Sequence, residues 1–399
     1  MLPFEEALRT VLDSAHRLGS EHVDIAHAVN RILAEDVESD MDMPPFDRAV
    51  VDGYACRRED LANELTIIET IRAGTLPKKA IGPNQCIKIM TGAPVPKGAD
   101  CVVMVEFTAR LSSPKSENRT EGTIRFVGEK TDDHIRPQGE DIRVGQVVLL
   151  KGTRIKPQHI AVLASVGHVR PLVTKRPRVA IIATGNELVE PGLKPAPSQI
   201  RNSNSPQLAA QLESVGAVVR SYGIARDTAD DIDSVFKRAA AENDVVTISG
   251  GVSMGDFDFV PGILRQNNIE LLFEKIAFKP GKPTVFGMSE KVYCFGLPGN
   301  PVSTFAVFEL LVKPFLYKLM GHTYAPANVQ MPLGESIRST DTKRQNWIPV
   351  TITEAGMLEH IEYHGSAHIG ALRIADGLVS IGVGVAEIPK GTIVQVRLI

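Results

Sequence analysis

Three short turns carry the residue types best suited to chemistry. They are Thr184-Gly185-Asn186-Glu187 after Val179–Ile182, the run Ser249 to Asp258 after Val245–Ile248, and Gly296 to Ser303 after Tyr293–Phe295. The second contains Ser249, Gly250, Gly251, Ser253, Gly255, Asp256 and Asp258; the third contains Pro298, Gly299, Asn300, Pro301 and Ser303. Each follows an apolar run, and in an open parallel sheet ligands bind beyond the carboxyl ends of the strands. Glycine there lets the main chain approach a phosphate and point its N–H groups inward. In the third turn Asn300 can cap a helix, Pro301 suits its first turn and Ser303 adds a hydroxyl, so free N–H groups can attract an anion. A single such turn is as easily an ordinary loop, because glycine and proline mark turns everywhere. Three at successive strand ends favour a site for a phosphorylated small molecule. The pattern is not a dinucleotide fingerprint, since no G-x-G-x-x-G follows a strand.

Between the second and third turns, Lys275, Lys279 and Lys282 sit with Pro280, Gly281 and Pro283 in a stiff basic corner. A tetrahedral oxyanion is a natural partner for such a cluster, and a solvated surface turn is the alternative. Acids flank the same turns: Glu187, Asp227, Asp256 and Asp258. Magnesium commonly uses one or two carboxylates plus substrate phosphate oxygens, and these are the candidates. Asp227 could instead cap the next helix, and Glu187 could begin one and face its dipole. His364 and His368 are four apart, but Gly365 and Gly370 argue against a helix presenting both to a metal. No Gly-x-Ser-x-Gly elbow, Walker loop or zincin helix is present.

The elements that must position these turns follow from periodicity. Phe4, Ala7, Leu8, Val11, Leu12 and Ala15 recur at three- and four-residue spacing and predict a first helix. A second short helix is expected over Ile25–Leu33. From Asp36 to Leu150, runs such as Leu65–Ile71, Ile87–Met90, Cys101–Val105 and Thr123–Val127 alternate with Gly, Pro and Asp, which predicts a β-rich region with an exposed hairpin tip over Leu111–Gly122. A helix from Pro157 to about Ser165 precedes the strands Val179–Ala183, Val218–Gly223, Val245–Ser249 and Val292–Phe295. Helices over Pro206–Val215, Asp230–Ala241, Val260–Gln266 and Val302–Met320 alternate with them. Continuous apolar strands spaced by helices predict a doubly wound α/β domain with a parallel sheet. Short strands beyond Gly321 (Ile348–Thr353, Glu359–Tyr363, Gly377–Val383, Thr392–Leu398) predict a small C-terminal β-barrel or sandwich.

Bulk properties narrow the function classes. The chain has 399 residues, too many for one ordinary core, and a formal net charge of −3 with 5% aromatic residues. No basic excess draws it to nucleic acid or an anionic membrane, and base-stacking platforms are scarce. The four cysteines form no CxxC pair and read as reduced thiols of a cytoplasmic protein. MLPFEEALRT is not a signal peptide, and the apolar stretch at Phe305–Val312 reads as a buried helix.

With these residues in view, the chain resembles the molybdopterin molybdenumtransferases, the MoeA type related to the C-terminal domain of gephyrin. Ser249-Gly250-Gly251-Val252-Ser253-Met254-Gly255 followed by Asp258 is similar to the signature of molybdopterin-binding domains. Lys279-Pro280-Gly281-Lys282-Pro283 and Gly296 to Ser303 are similar to its companions. Outside the α/β domain, Pro45 to Arg48 with Val51-Asp52-Gly53-Tyr54-Ala55, Ile89 to Pro96, and Arg136 to Ile142 resemble the family's N-terminal motifs, in the same order. Asn186 stands where the family often has aspartate, Val50-Val51 replaces Ala-Met, and the matches around Gly365–Ile369 and Arg373–Leu378 are loose.

The resemblance implies a multidomain α/β plus β fold. Its parts would be an N-terminal helix over 1–20 on the α/β domain, a β-rich linker domain over 21–45 and 140–170, and a projecting β-rich domain over 46–139. A molybdopterin-binding α/β domain over 171–321 and a β-barrel over 322–399 would complete it. It implies an enzyme of molybdenum cofactor biosynthesis that takes adenylyl-molybdopterin and molybdate as substrates, with Mg2+, and releases AMP. Asp52, Asp141, Glu187, Asp227, Asp258, Lys275 and Lys279 would be catalytic. Thr91, Arg136, Thr184, Gly185, Ser249, Gly250, Gly251, Ser253, Gly255, Lys282, Pro298, Gly299, Asn300, Pro301, Ser303, Arg344 and Ser366 would bind substrate, and Glu187, Asp227, Asp256 and Asp258 would hold the metal. It further implies a homodimer whose partner subunit brings acids such as Asp52 and Asp141 to the site, and contacts with a molybdopterin adenylyltransferase and molybdoenzyme-maturation proteins. The rival readings are an adenylyltransferase using ATP and a gephyrin-like scaffold with a vestigial site.

Overall fold

The computed structural model describes residues 1–111, 122–253, 258–339, 341–361 and 365–399. The chain divides into two compact units, residues 1–35, 151–156 and 170–399 in the first and residues 36–150 and 157–169 in the second.

Six strands form the central sheet of the first unit: β1 (Arg178–Thr184), β2 (Val218–Ala225), β3 (Val245–Ser249), β4 (Glu270–Phe273), β5 (Val285–Met288) and β6 (Tyr293–Leu297). Their spatial order is β2-β1-β3-β6-β5-β4. The first four in that order are parallel, and β5 and β4 add an antiparallel edge. Alternate residues of the parallel strands enter opposite cores. Val179, Ile181, Val245 and Phe295 face one with Leu208 and Phe315, while Ala180, Ile182, Val246 and Cys294 face the other with Ile232 and Phe236. Burial on both faces is why these strands read as unbroken apolar runs. The edge strands β4 and β5 are four residues each and escape the periodicity argument, so the sheet is mixed where a parallel one was expected.

The helices of this unit are α1 (Phe4–Asp13), α2 (Asn204–Ser214), α3 (Ala229–Glu242), α4 (Val260–Gln266) and α5 (Pro301–Val307), the last continuing through a π turn, Phe308–Val312, into Lys313–Leu319. In α1, Phe4, Ala7 and Val11 are buried, and the Phe4 ring lies 5.8 Å from Phe278 and 5.9 Å from Trp347. The expected helix over Ile25–Leu33 is not there. Only a 3₁₀ turn, Ile25–His27, forms under the Asp24 cap; Asn30 then takes φ +66° and the chain continues extended, with Ile32 bridging Arg154.

The π turn buries a charge. Glu309 is 5% exposed, and its carboxylate accepts from Gln211 Nε2 at 2.9 Å and from Lys313 Nζ at 2.7 Å. Removing one member of such a pair leaves an uncompensated buried charge, a loss of roughly 3–5 kcal/mol, whereas neutralising both costs far less. Lys313→Met is therefore expected to lower the thermal midpoint measured by calorimetry, and Glu309→Gln added to it to restore most of the loss. Equal melting of the single and double variants would show that the pair is not the cause.

At the C-terminus, strands Leu358–His360, Gln345–Ile352, Gly377–Ile381, Ile393–Leu398 and Asn328–Pro332 pair antiparallel in that order. A Leu333–Leu358 bridge closes the circuit into a small barrel around Val350, Val379, Ile381 and Val396. Phe278–Lys279 pairs in parallel with Gln345–Asn346, so the lysine-rich connection between β4 and β5 is stitched to the barrel's longest strand.

In the second unit six strands run in the order Cys101–Met104, Gly53–Cys56, Gln85–Ile89, Glu64–Ile71, Thr123–Phe126, Thr108–Arg110. Alternation sends Ala55, Ile87, Ile89 and Val102 to one face and Tyr54, Cys56, Cys86 and Cys101 to the other. Of the expected hairpin tip over Leu111–Gly122, residues 112–121 lie outside the described residues, and the strands Thr108–Arg110 and Thr123–Phe126 that flank it pair antiparallel. The helix Pro157–Ser165 forms as expected. All four cysteines are buried free thiols.

Candidate active site

The strand register decides where the three turns go. Ala183 lies opposite Ser249, and Ser249 opposite Leu297, so β1, β3 and β6 end side by side. Gly250 N–H donates to the Leu297 carbonyl at 3.0 Å, tying the second turn to the third. Gly250 and Gly251 take φ +95° and +64°. A Cβ on Gly250 would sit 2.6 Å from the Thr184 carbonyl oxygen, so only glycine passes there. Together the tips enclose a cavity of about 610 Å³. Its walls include Thr184, Gly185, Glu187, Ser249, Gly250, Gly251, Ser253, Pro298, Gly299, Asn300 and Pro301, along with Asp227 and Asp258. Every turn named from sequence contributes.

The acids divide by role. Asn186 N–H donates to Asp227 Oδ2 at 3.0 Å, and Asp227 N–H to Asn186 Oδ1 at 3.2 Å. This reciprocal pair locks the turn after β1 to the turn after β2. Asp227 is not a helix cap; Thr228 is, accepting from Asp231 N–H. Glu187 begins no helix, and its carboxylate folds over Gly185, where an added Cβ would come within 2.6 Å of it. Among the described residues no three His, Cys, Asp or Glu side chains converge as a metal cluster. Gly255 and Asp256 lie outside the described residues, as does His364.

The basic corner lies elsewhere. Of its residues only Pro283 lines the strand-tip cavity. Lys279 lines a second cavity of about 730 Å³ with Arg338, Ser339, Asn346, His360 and Gly365, and Lys275 and Lys282 line neither. Arg344 is held by Asp341, whose carboxylate it meets at 2.6 and 2.7 Å, and that contact keeps the Asp341 carboxyl below its ordinary value. Ser303 is 3% exposed and lines neither cavity. Asn300 does not cap α5. Its amide donates to Ser366 Oγ at 2.8 Å, and the Ser366 carbonyl takes the Val302 N–H, so Ser366 is docked on the third turn.

Sequence reasoning missed a fourth wall. Arg201, Asn202, Ser203 and Asn204 line the cavity at the start of α2. The signal was the polar run Asn202-Ser203-Asn204-Ser205, which carries no glycine and so escaped a search for glycine turns.

Asp52, Thr91, Arg136 and Asp141 belong to the second unit. There the three motifs that contain them meet. Arg48–Ala49 pairs with Ile135–Arg136, Val95 N–H reaches the Asp47 carbonyl at 2.8 Å, and Gln138 N–H reaches Asp47 Oδ1 at 2.7 Å. Arg136 lies 3.4 Å from Glu140, and Asp141 is exposed. Asp52 Oδ1 accepts the Thr91 N–H at 2.7 Å and the Thr91 hydroxyl at 2.8 Å. These bonds, the N–H first, hold the carboxyl below its ordinary 3.8. The sign follows: the ionised contact adds stability above pH 3.8, and the gain is lost as pH falls through the lower folded value. Thr91→Val, which deletes the hydroxyl and keeps the N–H, is expected to raise the Asp52 pKa part of the way back in a carboxyl NMR titration. An unmoved value would show that the hydroxyl contributes nothing.

Comparison with known proteins adds the family. Residues 2–167 match the MoeA N-terminal region (domains I and II), residues 180–318 the probable molybdopterin-binding domain, and residues 330–399 the MoeA C-terminal region (domain IV). A molybdopterin molybdenumtransferase of Staphylococcus epidermidis is 36% identical over 404 residues, covering 99% of this chain and 94% of that protein. One from Staphylococcus aureus is 38% identical over 327 residues, 80% of this chain and 76% of that protein. The crystal structure of a molybdopterin biosynthesis MoeA protein from Pyrococcus horikoshii OT3 superimposes with a TM-score of 0.85 at 32% identity, covering 100% of both chains. A cavity built from the signature turns, on a chain matched along nearly its whole length, places this protein in the MoeA family of molybdopterin molybdenumtransferases, transferases of molybdenum cofactor biosynthesis.

Proposed function

We propose that this chain inserts molybdate into adenylyl-molybdopterin and releases AMP. The observation that carries the reading is the strand-tip cavity, where two positive-φ glycines turn main chain toward the space that Glu187, Asp227 and Asp258 border. Main-chain N–H groups suit the pyrophosphate oxygens, and Glu187, Asp227 and Asp258 are the residues that would hold a cation. The donor set fits Mg2+, which uses one or two carboxylates plus phosphate oxygens and needs no all-protein cage. Bound there, the ion would neutralise charge on the phosphoanhydride and on the departing AMP. Thr184, Gly185, Ser249, Gly250, Gly251 and Ser253, with Pro298, Gly299, Asn300 and Pro301, hold the pterin and phosphates. Lys279, which lines the second cavity with Arg338 and Ser339, gathers the molybdate dianion.

The chain acts as a homodimer in this reading, with Asp52, Thr91, Arg136 and Asp141 of one copy serving the site of the other. It works in the cytoplasm, receiving substrate from a molybdopterin adenylyltransferase and passing product to molybdoenzyme-maturation proteins. Among the described residues no helix is long and apolar enough to cross a membrane. The test is to incubate the purified protein with adenylyl-molybdopterin, Mg2+ and molybdate, and to follow AMP and pterin-bound molybdenum. Molybdate-dependent release of one AMP per molybdenum bound is expected. Transfer of AMP from ATP to molybdopterin, or no AMP release, would overturn the assignment.

A further inference from the structure

Two side chains that line the strand-tip cavity each carry a buried oxygen with no hydrogen-bond partner among the described residues. Thr184 is 4% exposed and Asn204 8% exposed, and both line the cavity. The two oxygens are Thr184 Oγ1 and Asn204 Oδ1. The orientation of the Asn204 amide is fixed by its neighbour. Its Nδ2 donates at 2.7 Å to the Gly299 carbonyl, which can only accept, so Oδ1 is the end left over. Nor is Asn204 occupied in capping α2. Asn202 does that, its Oδ1 accepting the Ser205 N–H at 3.1 Å and its Nδ2 donating to Ser205 Oγ at 2.9 Å.

An unmatched buried acceptor destabilises the empty chain, and a ligand donor placed against it removes that cost on binding. Phosphate and molybdate oxygens are acceptors at neutral pH and would be repelled by Oδ1. Thr184 Oγ1 could donate to an anion; Asn204 Oδ1 cannot. The anion-binding logic of the glycine turns therefore does not explain this corner.

We infer that Asn204, assisted by Thr184, is a specificity residue that accepts a hydrogen bond from an uncharged donor on the organic part of the substrate. The inference rests on the adenylyl-molybdopterin reading above. That substrate carries such donors at two ends, the ring and amino N–H groups of the pterin and the amino and hydroxyl groups of the adenosine. The same Asn204 amide pins Gly299, so recognition of the donor and placement of the phosphate-facing turn share one side chain.

The test measures binding directly, without turnover. Full-length wild type, Asn204→Ala and Thr184→Val are titrated with molybdopterin and, separately, with AMP. Asn204→Ala is expected to lose about ten- to a hundredfold in affinity for one of the two ligands while the other holds, as for loss of a single buried hydrogen bond. The ligand that suffers identifies the end being read. Thr184→Val keeps the side-chain shape and is expected to weaken the same ligand, which keeps the test intact if Asn204→Ala does not fold. Equal loss for both ligands would point to a loosened Gly299 turn and overturn the inference, as would no loss for either. Wild type that binds neither ligand would sink the proposed function together with this inference. Wild type that binds both, with unaltered variants, would sink this inference alone.

Discussion

Gly250→Ala is expected to reduce AMP release from adenylyl-molybdopterin by at least two orders of magnitude in a chain that still folds. Gly250 has φ +95°, where a side chain costs about 1–2 kcal/mol in backbone strain. The new methyl would also meet the Thr184 carbonyl oxygen at 2.6 Å and Thr184 Oγ1 at 2.8 Å. The carbonyl cannot step aside cheaply, because Thr184 ends β1 and is paired with Ala225 of β2. The strand tip must therefore give, carrying with it the Gly250 N–H bond to Leu297 and the mouth of the cavity. A misplacement of about 1 Å between reacting groups can cost a hundredfold in rate. Gly262→Ala is the control. It lies exposed within α4 with nothing inside 4 Å of its added Cβ, so it is expected to fold and turn over like the parent. Wild-type turnover in Gly250→Ala would mean that the main chain of the second turn does not hold the reacting phosphates.

What the sequence made legible, and what it did not, follows from the range of each signal. Strands buried on both faces announce themselves, so β1, β3 and β6 were placed nearly to the residue, and with them the turns that wall the cavity. A glycine at positive φ beside a strand end is a local signal as well. Charge is not. Lys275, Lys279 and Lys282 are close in sequence to the glycine turns, yet Phe278–Lys279 is drawn into pairing with Gln345–Asn346 and Lys279 opens onto a different cavity. That outcome depends on a strand more than sixty residues downstream. Ile25–Leu33 failed for the opposite reason. Its apolar spacing suits a helix, but Asn30 at positive φ and backbone bonds from Asn30 to Ile155 and from Leu33 to Thr153 win locally. Asn204 was invisible because its importance lies in an unmatched atom, which no composition or spacing can reveal.

The separation of the two cavities has a kinetic consequence, tested by Asp258→Asn and Lys279→Ala. Asp258 borders the strand-tip cavity and Lys279 the second one. If the first holds the pyrophosphate and the second gathers molybdate, the two variants must fail differently. Asp258→Asn keeps the shape and removes the charge facing the reacting phosphates. It is expected to slow AMP release by about a hundred- to a thousandfold, the effect of losing roughly 2.7–4 kcal/mol of electrostatic stabilisation, with little change in the molybdate dependence. It should also need more Mg2+ for half-maximal rate. Lys279→Ala removes a cation from a site where the partner is a dianion, and a charged hydrogen bond is worth about 1.5–3 kcal/mol. Its defect of about ten- to a hundredfold is expected in the molybdate concentration at half-maximal rate, and excess molybdate should recover most of the turnover. A lysine that acted on the phosphoanhydride would instead lower the rate at every molybdate concentration. AMP release near wild type in both variants would remove these two residues from the reaction, and a rate defect that excess molybdate cannot relieve in Lys279→Ala would join the two cavities into one site.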